Sequence, residues 1–147
     1  AGVVVVDDYA HNPAKVRAAI ATGRGAVRAR GRLVVVFQPH LYSRTRDFAD
    51  AFGAALAPAD IVVVTDVYAA REDPLPGVTG ALVADAVRAA RAEAVVTFIP
   101  ALSDVVPALA GLTAPGDLVL TVGAGDITTI GPALLSALRS GSIQERS

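Results

Sequence analysis

Unbroken runs of apolar, mostly β-branched residues alternate along this chain with stretches whose apolar positions recur at helical spacing. The runs are VVVV (3–6), LVVVF (33–37), IVVVT (61–65), VVTFI (95–99) and LVLTV (118–122). None alternates in polarity, so each predicts a strand buried on both faces, as in a parallel sheet. Val16, Ala19, Ile20 and Gly23 form the first helical stripe. Phe48, Ala51, Phe52, Ala55 and Leu56 form the second, and Leu82, Val83, Ala86, Val87 and Ala90 the third. Leu102, Val105, Val106 and Leu109 form the fourth; here Ser103 is a candidate cap, and Pro107 is read into the first turn, where proline is best tolerated. Ile127, Ile130, Leu134 and Leu138 form the last. Asn12 followed by Pro13 marks the start of the first helix, a capping side chain and then a residue that needs no N–H.

Strict alternation of strand and helix predicts an α/β fold, a Rossmann-like three-layer α/β/α domain with a mostly parallel sheet and right-handed crossovers. The domain is expected over 1–139, with SGSIQERS (140–147) as a flexible tail. The return connections, such as RARGR and APAD, read as plain turns.

Composition narrows the function. With 147 residues, 53% of them hydrophobic, the chain can bury one substantial core and is not expected to be disordered. A net charge of −1 argues against a nucleic-acid partner. No apolar run approaches the roughly 18 residues that cross a bilayer, so no membrane partner is expected. The absence of cysteine removes disulfides and thiolate metal sites and is compatible with a cytoplasmic location. The chain does not begin with Met, and a processed start or a piece of a longer protein is expected. Lys15 is its only lysine; with abundant Ala, Val and Gly this suggests a GC-rich genome.

In parallel sheets ligands bind outside the carboxyl ends of the strands. The loops leaving those ends are DDYAHNP (7–13), QPHLYSRTRD (38–47), DVYAAREDPLPG (66–77), a minimal PAL, and GAGD (123–126). Both histidines and all three tyrosines lie there, with Arg44, Arg46 and Arg71. Each piece also has a plainer explanation. A loop histidine is often simply solvated. Arg44 and Arg46 can pair with Asp47 and Asp50 on the following helix. GAGD can be only a tight turn, and DDY a strand end before a capped helix. Convergence of these loops on one edge favours a site. An Arg there can grip a carboxylate in a bidentate manner, with His and Tyr to orient it. A carboxylate at a strand tip can accept ribose hydroxyls, and the N–H groups of Gly123 and Gly125 at a helix start can hold an anion beside Asp126. No G-x-x-x-x-G-K-[ST] is present to cradle a triphosphate, and no metal-ligand spacing appears. G-x-G at 123–125 follows the last strand, with Thr128 where a dinucleotide fingerprint has its third glycine.

Taken together, DDYAHNP, FQPHLYSRTRD, DVYAAREDPLPG and GAGDI resemble the C-terminal domain of the Mur ligases of peptidoglycan synthesis, spanning 7–127 in the family's order. The first motif is shared across the family; FQPHLYSRT with DVYAAREDPLPG resembles its alanine-adding branch. The resemblance implies a third domain that closes over ATP held by a central P-loop domain and brings the amino acid. It implies ATP-dependent joining of L-alanine to UDP-N-acetylmuramate through an acyl phosphate, with Mg2+ bound mainly by the central domain. Residue by residue, it implies Asp8 at the ribose of ATP and Tyr9, His11, His40 and Arg44 at the alanine site, with Arg44 on the carboxylate. Leu41 stands where some members carry a second Arg, which leaves the division between Arg44 and Arg46 open. Tyr68 and the Gly123–Gly125–Asp126 turn are implied as secondary contributors. Such a domain is expected to be inactive alone. Two alternatives stand beside it: another Mur-type ligase that recycles a peptide, and a non-catalytic Rossmann-like nucleotide-binding module.

Overall fold

Each apolar run becomes a strand and each helical stripe a helix. The computed structural model describes residues 2–145, with backbone alone for 142–145. In order these are β1 (Val4–Asp8), α1 (Pro13–Ala26), β2 (Leu33–Phe37), α2 (Tyr42–Leu56), β3 (Ile61–Val64), α3 (Ala81–Ala90), β4 (Val95–Phe98), α4 (Leu102–Leu112), β5 (Leu118–Val122), a 3₁₀ turn (Asp126–Thr129) and α5 (Ile130–Glu145). The strands form one parallel sheet in the order β1-β5-β2-β3-β4. Side chains of β2 divide between its faces. Leu33, Val35 and Phe37 pack under α1, α2 and α3, and Val34 and Val36 under α4 and α5. The result is the expected three-layer α/β/α arrangement. Asn12 caps α1 as expected, its Oδ1 accepting from the Lys15 N–H at 2.9 Å.

Burial of every strand on both faces holds for β2, β3 and β5 but not for β1 and β4. These two are the sheet edges, and Val4 on β1 is 57% exposed. An apolar run alone does not tell an edge strand from a central one. On the β4 edge Arg88 donates to the Val96 carbonyl at 3.1 Å, covering a backbone group that the sheet leaves unpaired. Phe48 heads the α2 stripe but is 49% exposed. Ser103 does not cap α4. That helix begins at Leu102 after Ala101, so Ser103 is already inside it, and Pro107 falls in its second turn rather than its first. Both lie on the exposed face, where water can satisfy the carbonyl that proline leaves free. Helix α5 continues through Glu145, so the boundary placed at 139 falls within it.

The return connections are more than plain turns. Asp60 of APAD accepts from Arg24 at 2.6 Å and from the Leu33 N–H at 2.8 Å. Arg32 of RARGR forms a bidentate pair with Asp117, with contacts of 2.7 and 3.1 Å. These polar clamps tie the strand starts together at the amino end of the sheet.

Candidate active-site edge

The strand order decides which loops can cooperate. β5 lies between β1 and β2, and β3 lies beyond β2, so the long polar loops emerge side by side. β4, with its minimal PAL connection, is the far edge. The sheet therefore groups the loops that carry His, Tyr and Arg.

The loops after β2 and β3 extend their pairing past the strand ends. His40 and Tyr68 form an isolated parallel bridge, with Tyr68 N–H on the Pro39 carbonyl at 2.8 Å and Leu41 N–H on the Tyr68 carbonyl at 2.9 Å. Their rings stack at 5.6 Å and 16°. His11 of the β1 loop meets His40 edge-on at 6.5 Å, and Tyr9 meets His11 at 6.0 Å. Arg44, one helical turn beyond His40, places Nη1 3.3 Å from His40 Nδ1. The predicted residues Tyr9, His11, His40, Arg44 and Tyr68 thus form one continuous rim. Leu41 makes this possible at a cost. Its φ of 70° and ψ of 134° lie outside the regions that side-chain-bearing residues favour. The buried Thr45 holds it there, its N–H and Oγ1 both donating to the Leu41 carbonyl at 3.1 and 2.8 Å.

A guanidinium has only donors, so the Arg44 contact makes Nδ1 of His40 the acceptor and leaves the proton on Nε2. Electrostatics agree. Burial, then the charges of Arg44 and His11, push His40 below its ordinary value of 6.5, against a smaller opposing effect of Glu72. A neutral His40 offers Nε2–H to an incoming acceptor beside the Arg44 fork. Because the folded value is depressed, the unfolded chain binds more protons as the pH falls through 6.5, and stability is lost until the folded value is passed. The unfolding temperature is therefore expected to fall between about pH 7.5 and about pH 5.5, and His40→Gln to flatten that slope. Thermal melts of both chains across this range check it; an equal slope in the variant assigns the window to another group. Asp117 and Glu72 both sit below ordinary carboxylate values, so their titration belongs to more acid solution.

Asp8 ends β1. Its Oδ1 accepts from the Ala10 N–H at 2.8 Å, which orients the carboxylate and keeps lone pairs on the second oxygen for a ligand hydroxyl. With Tyr9, His11 and Lys15 it lines the upper end of a cleft of about 430 Å³ that runs down between β1 and α1. The turn after β5 differs from the expected anion cradle. The Gly123 N–H is already committed to the Asp8 carbonyl at 3.1 Å, and Asp126 adds negative charge. Gly123 is glycine because its φ is 152°, and Gly125 because a Cβ there would lie 2.6 Å from Cγ of Tyr68. The turn therefore seats Tyr68.

Gln38, 4% exposed, locks this arrangement: Nε2 donates to Asp126 at 2.6 Å and Oε1 accepts from the Ile127 N–H at 3.2 Å. Sequence reading passed over it, although a polar residue closing a wholly apolar strand is a usable signal. It also passed over Ser43 and Glu72, which join α2 to the β3 loop. Arg46 is exposed and donates to Asp47 at 2.9 Å, the plain surface pairing weighed for it. Arg71 is exposed on the β3 loop. Among the described residues no three His, Asp or Glu side chains cluster to hold a metal ion, and no helix is long and apolar enough to cross a membrane.

The sequence profile of the family described as Mur ligase, glutamate ligase domain, matches residues 1–125. The chain belongs to the Mur ligase C-terminal domain family. It is 59% identical to the UDP-N-acetylmuramate–L-alanine ligase of Kineococcus radiotolerans over 138 residues, which are 94% of this chain and 29% of that protein. It is 54% identical to the enzyme of the same name from Cutibacterium acnes, again over 94% of this chain and 29% of the relative. Its fold matches the crystal structure of the UDP-N-acetylmuramate–alanine ligase of Thermotoga maritima with a TM-score of 0.70 at 28% identity, over 95% of this chain and 27% of that one. This Mur ligase domain thus spans under a third of the length of these relatives.

Proposed function

We propose that this chain is the amino-acid-binding, closing domain of an ATP-dependent ligase that joins L-alanine to UDP-N-acetylmuramate in the cytoplasm. The observation that carries the reading is the contiguity of Arg44, His40, His11 and Tyr68 on the edge that also presents Asp8. Arg44 grips the alanine carboxylate, and His40 Nε2–H and Tyr9 orient it beside the rings of His11 and Tyr68. Asp8 takes a ribose hydroxyl of ATP. The chemistry is transfer of the γ-phosphoryl group to the muramyl carboxylate, attack of the alanine amine on the acyl phosphate, and departure of phosphate. This domain contributes position: an amine held in line lowers the barrier by several kcal/mol, and closure excludes water from the acyl phosphate. Among the described residues no three His, Asp or Glu side chains gather as a metal site; Mg2+ is assigned mainly to the rest of the protein, and no step here runs through the metal.

The full-length protein is expected to release phosphate from ATP only when UDP-N-acetylmuramate and L-alanine are both present, with glycine and L-serine poorer. Coupled phosphate release across an amino-acid panel tests this. Turnover that requires a peptide instead of alanine transfers the assignment to a recycling ligase; saturable nucleotide binding without any turnover transfers it to a binding module.

A further inference from the structure

The loop after β3 is a closed body. At its base Asp66 Oδ1 accepts from the N–H groups of Val67 and Gly80 at 2.9 and 3.2 Å, and Val78 is buried within it. From this loop Glu72 reaches to the first turn of α2. Its Oε1 accepts the Ser43 N–H at 3.1 Å, and Ser43 Oγ donates to Oε2. The N-cap of α2 is Leu41, whose side chain cannot cap and whose backbone is strained. The helix therefore begins with unsatisfied N–H groups and receives its acceptor, an anion at the positive end of its dipole, from a different strand's loop.

We propose that Glu72 is a positioning residue for the amino-acid site, capping α2 from the β3 loop and thereby fixing Arg44 against the stacked His40–Tyr68 pair. The inference rests on the ligase reading above. Arg44 directly follows Ser43, so the height and rotation of this turn set where its guanidinium stands. Leu41 makes the entry to α2 a joint that relaxes when the helix start is not held from the far side. Glu72 touches no reacting atom. Its loss disturbs the geometry between Arg44 and His40, which recognises the carboxylate, and spares Asp8, which belongs to β1.

Steady-state kinetics of the full-length protein test this. Glu72→Ala is expected to raise the KM for L-alanine about tenfold, with the KM for ATP and the kcat at saturating alanine within about twofold. Glu72→Gln, which keeps one acceptor oxygen, is expected to fall between Glu72→Ala and the unmodified protein. Ser43→Ala removes the hydroxyl branch, and Glu72→Ala combined with Ser43→Ala is expected to be no worse than Glu72→Ala alone, because both break one link. A role in stability alone would lower the unfolding temperature without splitting KM from kcat. An unmoved alanine KM in Glu72→Ala, or effects that add in the double variant, overturns the inference alone. If Glu72→Ala fails to fold, the alanine KM values of Glu72→Gln and Ser43→Ala decide in its place. An unmodified protein with no alanine-dependent phosphate release overturns the ligase reading and this inference with it.

Discussion

Arg44→Ala in the full-length protein is expected to raise the KM for L-alanine about a hundredfold while leaving that for ATP within about twofold. The magnitude follows from the interaction lost. A guanidinium–carboxylate pair in a partly enclosed rim makes two charge-assisted hydrogen bonds, and a hundredfold change corresponds to about 2.7 kcal/mol. Arg44 is half-buried and positioned by His40 at 3.3 Å, so little ordering remains to be done when the substrate arrives. Arg44→Lys keeps the charge but not the fork and is expected to recover only part of the loss. Arg46→Ala provides the contrast. Its guanidinium is exposed and pairs with Asp47, so its removal is expected to change the alanine KM less than about twofold. The four initial-rate series separate the two arginines. A large effect at Arg46 with none at Arg44 would move the carboxylate site to the outer flank of α2.

The same contrast shows what could be read from the chain before its fold was known. The strands and helices were legible because the apolar runs are unbroken and the stripes keep helical spacing, and parallel pairing followed from the alternation. The candidate edge was legible because its polar residues follow the strand ends, although Tyr42, Arg44 and Arg46, read as loop residues, fall in the first turns of α2. Pairing order was not legible: nothing in LVLTV says that β5 inserts between β1 and β2, yet that insertion brings GAGD against Tyr68 and Gln38. Edge strands were misread for the same reason, since Val4 and Val34 look alike until the neighbours of their strands are known. Long-range polar ties were hidden because their partners lie far apart in sequence. Ser43 and Glu72 are 29 positions apart, and Gln38 and Asp126 are 88. A helix capped from another strand's loop leaves no local signature at its own start.

A tie at the amino end of the sheet, opposite the candidate site, carries the second large prediction: Asp117→Ala is expected to destabilise the chain by about 3 kcal/mol and lower its unfolding temperature by about 10 °C. Asp117 is 2% exposed, just before β5. Its carboxylate accepts from Arg32 Nε at 3.1 Å, Arg32 Nη2 at 2.7 Å, the Arg32 N–H at 3.2 Å and the Ala114 N–H at 2.8 Å. Burial pushes its pKa upward, but the hydrogen bonds from Arg32 and Ala114 outweigh it and hold the group below the ordinary carboxylate value. Removal leaves those donors facing one another at the point where β1, β5 and β2 begin. There Val4 N–H meets the Asp117 carbonyl at 3.1 Å, and Leu118 N–H meets that of Arg32 at 2.9 Å. Arg32 is partly exposed and keeps the Leu112 carbonyl at 3.0 Å, which places the loss at the low end of the range for a broken buried pair. Asp117→Asn is expected to be nearly as harmful, because its amide turns donors toward donors. Replacing Arg32 and Asp117 together by leucine is expected to cost less than Asp117→Ala, since no charge is then left unpaired. Urea and thermal unfolding of these chains give the comparison. A loss under about 1 kcal/mol in Asp117→Ala would mean that the β1, β5 and β2 starts are held by their backbone ladder alone, with the ion pair contributing almost nothing.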